Sequence, residues 1–245
     1  MGLRDNTLEL MLDERFDLPG SASLSAVYFV AFLPRSGSHF LCNRLWKTGL
    51  AGAQMEYFNL NKLPVLANRF GARHLEEYVP RLLRRRTTPN GVFGTKLNRD
   101  QFAFLQLFAF DHPLKNPKWI LVDRRDKERQ AISWHIANQI GAWSTLSPAQ
   151  REPEHSFGAI ARCRQGLIEH RRYWDGYFSA NTIDPVRVVY EDLVDDPDAT
   201  VGAILQHLDI PLQPTCSPVV LQIERQATSR NDEWLERFHA DLAAA

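Results

Sequence analysis

At 245 residues the chain is long enough for one α/β domain with a well-buried core and short for two. Apolar residues at 44% and charged residues at 24% suit a soluble globular protein. Lys plus Arg equals Asp plus Glu at 29 each; this argues against a dedicated nucleic-acid binder, usually basic, and leaves room for a local anion pocket.

The cysteines, Cys42, Cys163 and Cys216, are odd in number, widely spaced and without a Cys/His ligand pattern. They read as small core residues, with no disulfide framework and no metal site expected. Met1–Gly20 carries many charges and no long apolar run, unlike a secretory signal, and no stretch has the length to span a bilayer. A cytoplasmic location without stable membrane insertion is expected.

Residues 1–25 read as a leading segment, with a helical turn or two over Leu8–Phe16 and a break at Pro19-Gly20-Ser21. One domain is expected over 26–245. It opens with Ala26–Leu33, an unbroken run of strand formers that suits a strand buried on both faces. A helix follows over Ser36–Thr48, with Gly49 as its stop. Further strands are expected at Gly91–Thr95, Trp119–Val122 and Val186–Tyr190. Ile132, Ile136 and Ile140 recur every four residues, and Val201, Ile204, Leu205 and Leu208 follow the i, i+3, i+4, i+7 pattern of helices. Phe157–Phe178 reads as one long helix, and Glu233–Ala245 as a last one. Strands alternating with helices predict a three-layer α/β fold, P-loop-like, with a central parallel sheet flanked by helices.

The sharpest local feature is Pro34-Arg35-Ser36-Gly37-Ser38 between strand and helix. Amides at such a helix start, with the helix dipole, form an anion site. Gly37 lets the backbone approach the anion, and Arg35 adds a forked cationic donor. The same residues also suit an ordinary turn with a Ser cap. The Walker pattern GxxxxGK[ST] is missing, which disfavours a P-loop kinase.

Asp123-Arg124-Arg125-Asp126 follows the strand Trp119–Val122, at the end where open α/β sheets bind ligands. An arginine there could meet a second phosphate, with Ser133 two helical turns on, or the segment is a solvated turn capping a helix. Glu56 follows the first helix and could act as a base for a hydroxyl, although a lone Glu by itself reads first as a surface residue. The polar segment Glu224–Trp234 could close over a nucleotide or turn into the last helix. Arg81, Arg84, Arg85 and Arg86 could attract an anionic head group but read first as a solvated basic helix end; His135 or His170 could be a base but read first as helical core or surface histidines; Trp134 and Trp143 could stack on a sugar or adenine but read first as core or interface aromatics.

Five segments in order now match a known pattern: Arg35–Ser38; Leu50-Ala51-Gly52 with Gln54 and Glu56; Pro89–Leu97; Arg124-Arg125-Asp126 with Gln130–Ser133; and Glu224–Ala227 with Arg230–Trp234. The chain resembles the Stf0-type bacterial sulfotransferases, best known for trehalose 2-sulfation, over about Val27 to Phe238. The resemblance implies 3′-phosphoadenylyl sulfate (PAPS) as donor, no metal, and a sugar or glycolipid acceptor. It implies that Arg35, Ser36, Gly37 and Ser38 hold the 5′-phosphosulfate and that Arg124 and Ser133 hold the 3′-phosphate, with Arg125 a rival. Glu56 is then the general base, Arg35 a catalytic charge, and the segment carrying Arg225 a cover for the nucleotide. Lys96 becomes a candidate for neutralising the sulfuryl group, or a strand-end surface lysine. A homodimer is a fair expectation.

His39 departs from the pattern, which usually has Thr after the loop. It could contact the donor, bias the site electrostatically or pack at the helix start. The region Asn59–Arg86 looks shorter than in the trehalose enzymes, which leaves the acceptor open. His39 also keeps alive the alternative of a catalytically silent nucleotide-binding protein; retention of Glu56 argues against it.

Overall fold

The computed structural model describes residues 6–18, 23–108, 114–141, 143, 151–210 and 229–244. Four strands, β1 (Ala26–Phe32), β2 (Val92–Leu97), β3 (Lys118–Asp123) and β4 (Val186–Val189), form one sheet in the order β2-β1-β3-β4. All neighbours are parallel, with Phe29 opposite Thr95 on one side and Trp119 on the other. The expected strands are thus present, shifted by a residue or two at their ends. Tyr190 instead opens a short helix, α8 (Tyr190–Asp195).

Strand alternation divides β1 between two cores. Tyr28, Val30 and Phe32 pack with Leu41 and Leu45 of α2 (Ser38–Lys47) and with Val201, Ile204 and Leu205 of α9 (Pro197–His207). Phe29, Ala31 and Leu33 face the other layer, which draws on α3 (Leu63–Phe70), α4 (Leu75–Arg86), α5 (Arg99–Phe108), α6 (Lys127–Ile140), α7 (Phe157–Ala180) and α10 (Ser229–Ala244). Trp119 is a node of that layer, with the rings of Phe29, Phe102 and Trp174 at 5.2, 5.1 and 5.7 Å. The fold is three-layered α/β, with a central parallel sheet flanked by helices.

The segment before β1 is packed down at two places: α1 (Asn6–Leu12) sends Met11 into the second core, and a 3-10 turn at Glu14–Phe16 buries Phe16 in a small separate cluster with Leu18, Trp46 and Ala53. Arg86 departs from the expected solvated helix end. It is fully buried, donates to Met11 O at 2.8 Å and pairs with Asp17 at 3.1 Å. Asp17 also takes Arg69 at 2.8 Å and Arg85 at 3.1 Å, so one carboxylate ties the chain's start to α3 and α4. Cys42 and Cys163 are buried free thiols, and Cys216 lies outside the described residues. No described helix is long and apolar enough to cross a membrane.

β1 connects to β2 on one side, while β3 lies on the other. The crevice beyond the C-terminal ends of β1 and β3 is therefore the point where strand order reverses, the usual ligand position in open α/β sheets.

Candidate active site

The loop Pro34–Gly37 emerges from β1 into that crevice. The helix starts at Ser38 and not at Ser36, because Gly37 is its N-cap with φ of +84°. A Cβ there would lie 2.2 Å from the Tyr190 ring, so only glycine fits. Arg35 also has positive φ, at 60°. Its side chain crosses the crevice: Nε donates to Ser133 Oγ at 2.9 Å and Nη1 to Trp143 O at 2.7 Å. Gln130 Nε2 donates to Pro34 O at 2.8 Å, so α6 grips the loop at two points. The Ser36 hydroxyl is fully buried yet makes no hydrogen bond among the described residues. Such an orphaned donor fits an anion held in the loop.

Arg124 and Arg125 part company. Arg124 is only 12% exposed, lies 5.0 Å over the Tyr190 ring and is 3.5 Å from Glu191. Arg125, 62% exposed, donates from Nη2 to both Asp192 carboxylate oxygens at 2.7 and 2.9 Å. Arg124 is the one near the loop: burial and then its charge pull the Arg35 pKa down to about 10. Arg35 still stays charged at neutral pH, and two guanidiniums held together favour an anion between them.

Glu56 sits where the chain returns from α2 to the edge of β2. Met55 O accepts from the Thr95 hydroxyl at 2.8 Å and from the Lys96 amide at 3.1 Å, which fixes the next residue. Upstream, the Tyr28 hydroxyl donates to Ala51 O at 2.7 Å. Its ring occupies the space a Cβ at Gly94 would need, at 2.4 Å. The Glu56 carboxylate is 14% exposed and Lys96 3%. Oε1 meets Lys96 Nζ at 3.0 Å; Oε2 accepts from Gln101 at 2.8 Å and Asn59 at 3.1 Å. Burial pushes the Glu56 pKa up, but Lys96, with help from His39 and Lys62, holds it below its ordinary range. Lys96 is thus no surface lysine; its Nζ also lies 5.1 Å over the Phe32 ring.

His39, in the first turn of α2, turns Nε2 toward Glu56 Oε1 at 3.9 Å. The structure therefore brings Arg35, Ser36, Gly37, Arg124 and Ser133 together around the loop, with Ser38 buried at the helix start. Glu56, Lys96 and His39 form a second cluster, joined to the first electrostatically through Arg35 and His39. Arg225 and the stretch 211–228 lie outside the described residues. In α10, Trp234 is buried in the core, Arg230 pairs with Glu152 at 2.5 Å and Asp232 pairs with Arg129. His135 and His170 are buried, and Trp143 is exposed. Among the described residues, no group of three or more His, Cys, Asp or Glu could hold a metal ion.

Sequence reasoning gave no role to Tyr190, Gln101 or Asn59, and it met Gln130 only as part of the segment Gln130–Ser133. Only Tyr190 carried a usable signal, since it stands at the C-terminal end of an expected strand.

A glycine-bearing loop at a strand-order reversal, two convergent arginines and an adjacent anchored carboxylate are what a group-transfer site for an anionic donor would require. The Stf0 sulphotransferase family model matches residues 27–241, and the chain belongs to that family. It is 30% identical over 171 residues to trehalose 2-sulfotransferase of Mycobacterium tuberculosis, covering 63% of each chain, so that match spans just under two thirds of the relative. To trehalose 2-sulfotransferase of Mycolicibacterium smegmatis it is 28% identical, over 87% of this chain and 94% of that one. Among solved structures, the sulfotransferase domain of the Synechococcus PCC 7002 olefin synthase matches with a TM-score of 0.44 and 13% identity, over 89% and 95% of the two chains.

Proposed function

We propose that this protein moves the sulfuryl group of PAPS to a hydroxyl of a carbohydrate or glycolipid acceptor. The observation that carries the reading is the Glu56 carboxylate, ionised and anchored beside the anion loop. In a donor complex, loop amides, the Ser36 hydroxyl and Arg35 hold the 5′-phosphosulfate. Arg124 and Ser133 take the 3′-phosphate; Arg125 is spent on Asp192. Glu56 takes the acceptor's hydroxyl proton as the oxygen attacks sulfur in line, the bond from sulfur to the bridging oxygen breaks, and the 3′,5′-bisphosphate PAP departs with the electron pair. Arg35 and the amides stabilise charge growing on that leaving group. Lys96 faces the sulfuryl oxygens, and as it turns toward them it loosens its hold on Glu56, which becomes a stronger base. Trehalose is a natural first acceptor to test, given the relatives' names.

The test is ligand binding followed by transfer. PAP at 100 times its Kd stabilises a one-site protein by about 2.7 kcal/mol, a rise of about 5–10 °C in Tm for a chain of this size. ADP and AMP, lacking the 3′-phosphate, should shift it much less; equal shifts would refute the donor assignment. Glu56→Gln, assayed at a temperature where it remains folded, should keep PAP binding and lose transfer. Wild-type transfer by that variant would remove Glu56 from the chemistry.

A further inference from the structure

The least explained group in the site is His39. Glu56 faces the reaction with little capacity to spare: Oε2 already accepts two hydrogen bonds, Oε1 is held by Lys96, and the side chain is largely buried. His39 is the more accessible of the two, at 30% exposure, and its Nε2 points at the Oε1 edge. At 3.9 Å the pair is within ion-pair range and beyond hydrogen-bond length, so a small closure is needed before Glu56 can orient the imidazole and select its tautomer. With Nε2–H turned to Glu56, the lone pair lies on Nδ1.

We propose that His39 is a catalytic residue, the first acceptor of the hydroxyl proton, and that it passes charge on to Glu56. The inference rests on the PAPS reading and changes its proton path. As the acceptor oxygen bonds to sulfur, its O–H bond breaks and the proton goes to Nδ1. The Nε2 proton shifts toward Glu56 Oε1, which requires the 3.9 Å gap to close by about 1 Å to hydrogen-bond length. The bond between sulfur and the bridging phosphate oxygen breaks with its electron pair on PAP, so charge and atoms balance.

The electrostatics suit a base that is switched on by the donor. In the free protein burial, then Lys96 from β2, pull the His39 pKa down to about 3; Arg35 from the loop and Lys62 at the start of α3 add to this, and Glu56 opposes it. The imidazole is therefore neutral and has a lone pair, but is a weak base. A bound phosphosulfate counters the Arg35 and Lys96 charges, which lifts His39 toward the range where proton transfer is efficient.

The experiment compares wild type, His39→Gln and His39→Ala, using radiolabelled-sulfate PAPS with trehalose and a mixed glycolipid extract as acceptors. PAP thermal shifts serve as the check on folding and donor binding. The relay predicts a fall in kcat of about 100-fold or more in both variants. It also predicts a KM for PAPS within about threefold of wild type, partial rescue of His39→Ala by imidazole, and loss of the acid limb of the kcat–pH profile in His39→Gln. A raised KM for PAPS with unchanged kcat would make His39 a donor contact and overturn the relay, as would His39→Gln transferring within about twofold of wild type. No transfer by wild type with either acceptor and no PAP-specific shift would overturn the donor reading itself, and the relay with it. A PAP shift without transfer by wild type is resolved by nitrogen NMR of the His39 ring. A pKa that PAP and inorganic sulfate leave unmoved overturns the relay, and a rise of a unit or more supports it.

Discussion

The Glu56–Lys96 pair offers the most direct test of how the site is held. Lys96 is 3% exposed and Glu56 14%, at a separation of 3.0 Å. Breaking a buried pair by removing one partner typically costs about 3–5 kcal/mol. Glu56→Gln approaches that figure, because its amide nitrogen must face a donor whichever way it turns: Lys96 at one oxygen position, or Asn59 and Gln101 at the other. For a chain of this length the loss corresponds to about 6–20 °C in Tm. Lys96→Met is milder, about 1–3 kcal/mol, because the carboxylate keeps its two amide donors. Glu56→Gln combined with Lys96→Met should recover part of the loss, with a coupling of about 2 kcal/mol, read from urea unfolding of the four proteins at neutral pH. The pH dependence has a defined sign. The folded-state pKa of Glu56 is depressed below its ordinary 4.5, so the contribution is complete above that value and disappears as pH falls through the folded pKa. The margin of wild type over the double variant should be flat from about pH 8 to 5 and shrink only in acid. Additive losses within about 0.5 kcal/mol, or a margin that shrinks near neutrality, would refute the ionised pair.

Gly37→Ala should lose PAP binding and lower Tm, since its Cβ meets the Tyr190 ring at 2.2 Å and φ is +84°; a thermal melt with and without PAP reads both. Arg124→Ala should weaken PAP binding by about 10- to 100-fold, the value of a charged hydrogen bond of 1.5–3 kcal/mol, whereas Arg125→Ala should change it less than about twofold by titration calorimetry. Asp17→Ala leaves the buried Arg86 without its carboxylate and should cost about 3–5 kcal/mol in urea unfolding, with Asp17→Asn recovering part of it.

Much of this was legible in the chain. The β1 run and the loop after it carry their meaning locally, because a strand buried on both faces must be apolar throughout and a tight anion loop needs glycine. Gly49, expected as a helix stop, has φ of 69°. What depended on distance along the chain was not legible. Lys96 and Gln101 converge on Glu56 from a strand and a helix far along the chain, and no spacing announces that. Arg86 reads as surface beside three other arginines, and only its meeting with Asp17, 69 positions earlier, explains its burial. Arg124 and Arg125 are equivalent as text; the turn after β3 and the Glu191–Asp192 pair separate them.

The strand order also bears on how the protein is made. β1 lies in the interior of the sheet, yet its partners begin only at Val92 and Lys118. During synthesis the sequence AVYFVAF leaves the ribosome with neither edge covered, and its second edge is sealed only once Asp123 has emerged. At roughly 5–20 residues per second that interval is about 5–18 s. Throughout it the nascent chain presents an uncharged, β-prone segment, the kind that invites chaperone capture or mispairing. The strand that launches the anion loop is thus also a stretch that needs protection before the fold closes around it.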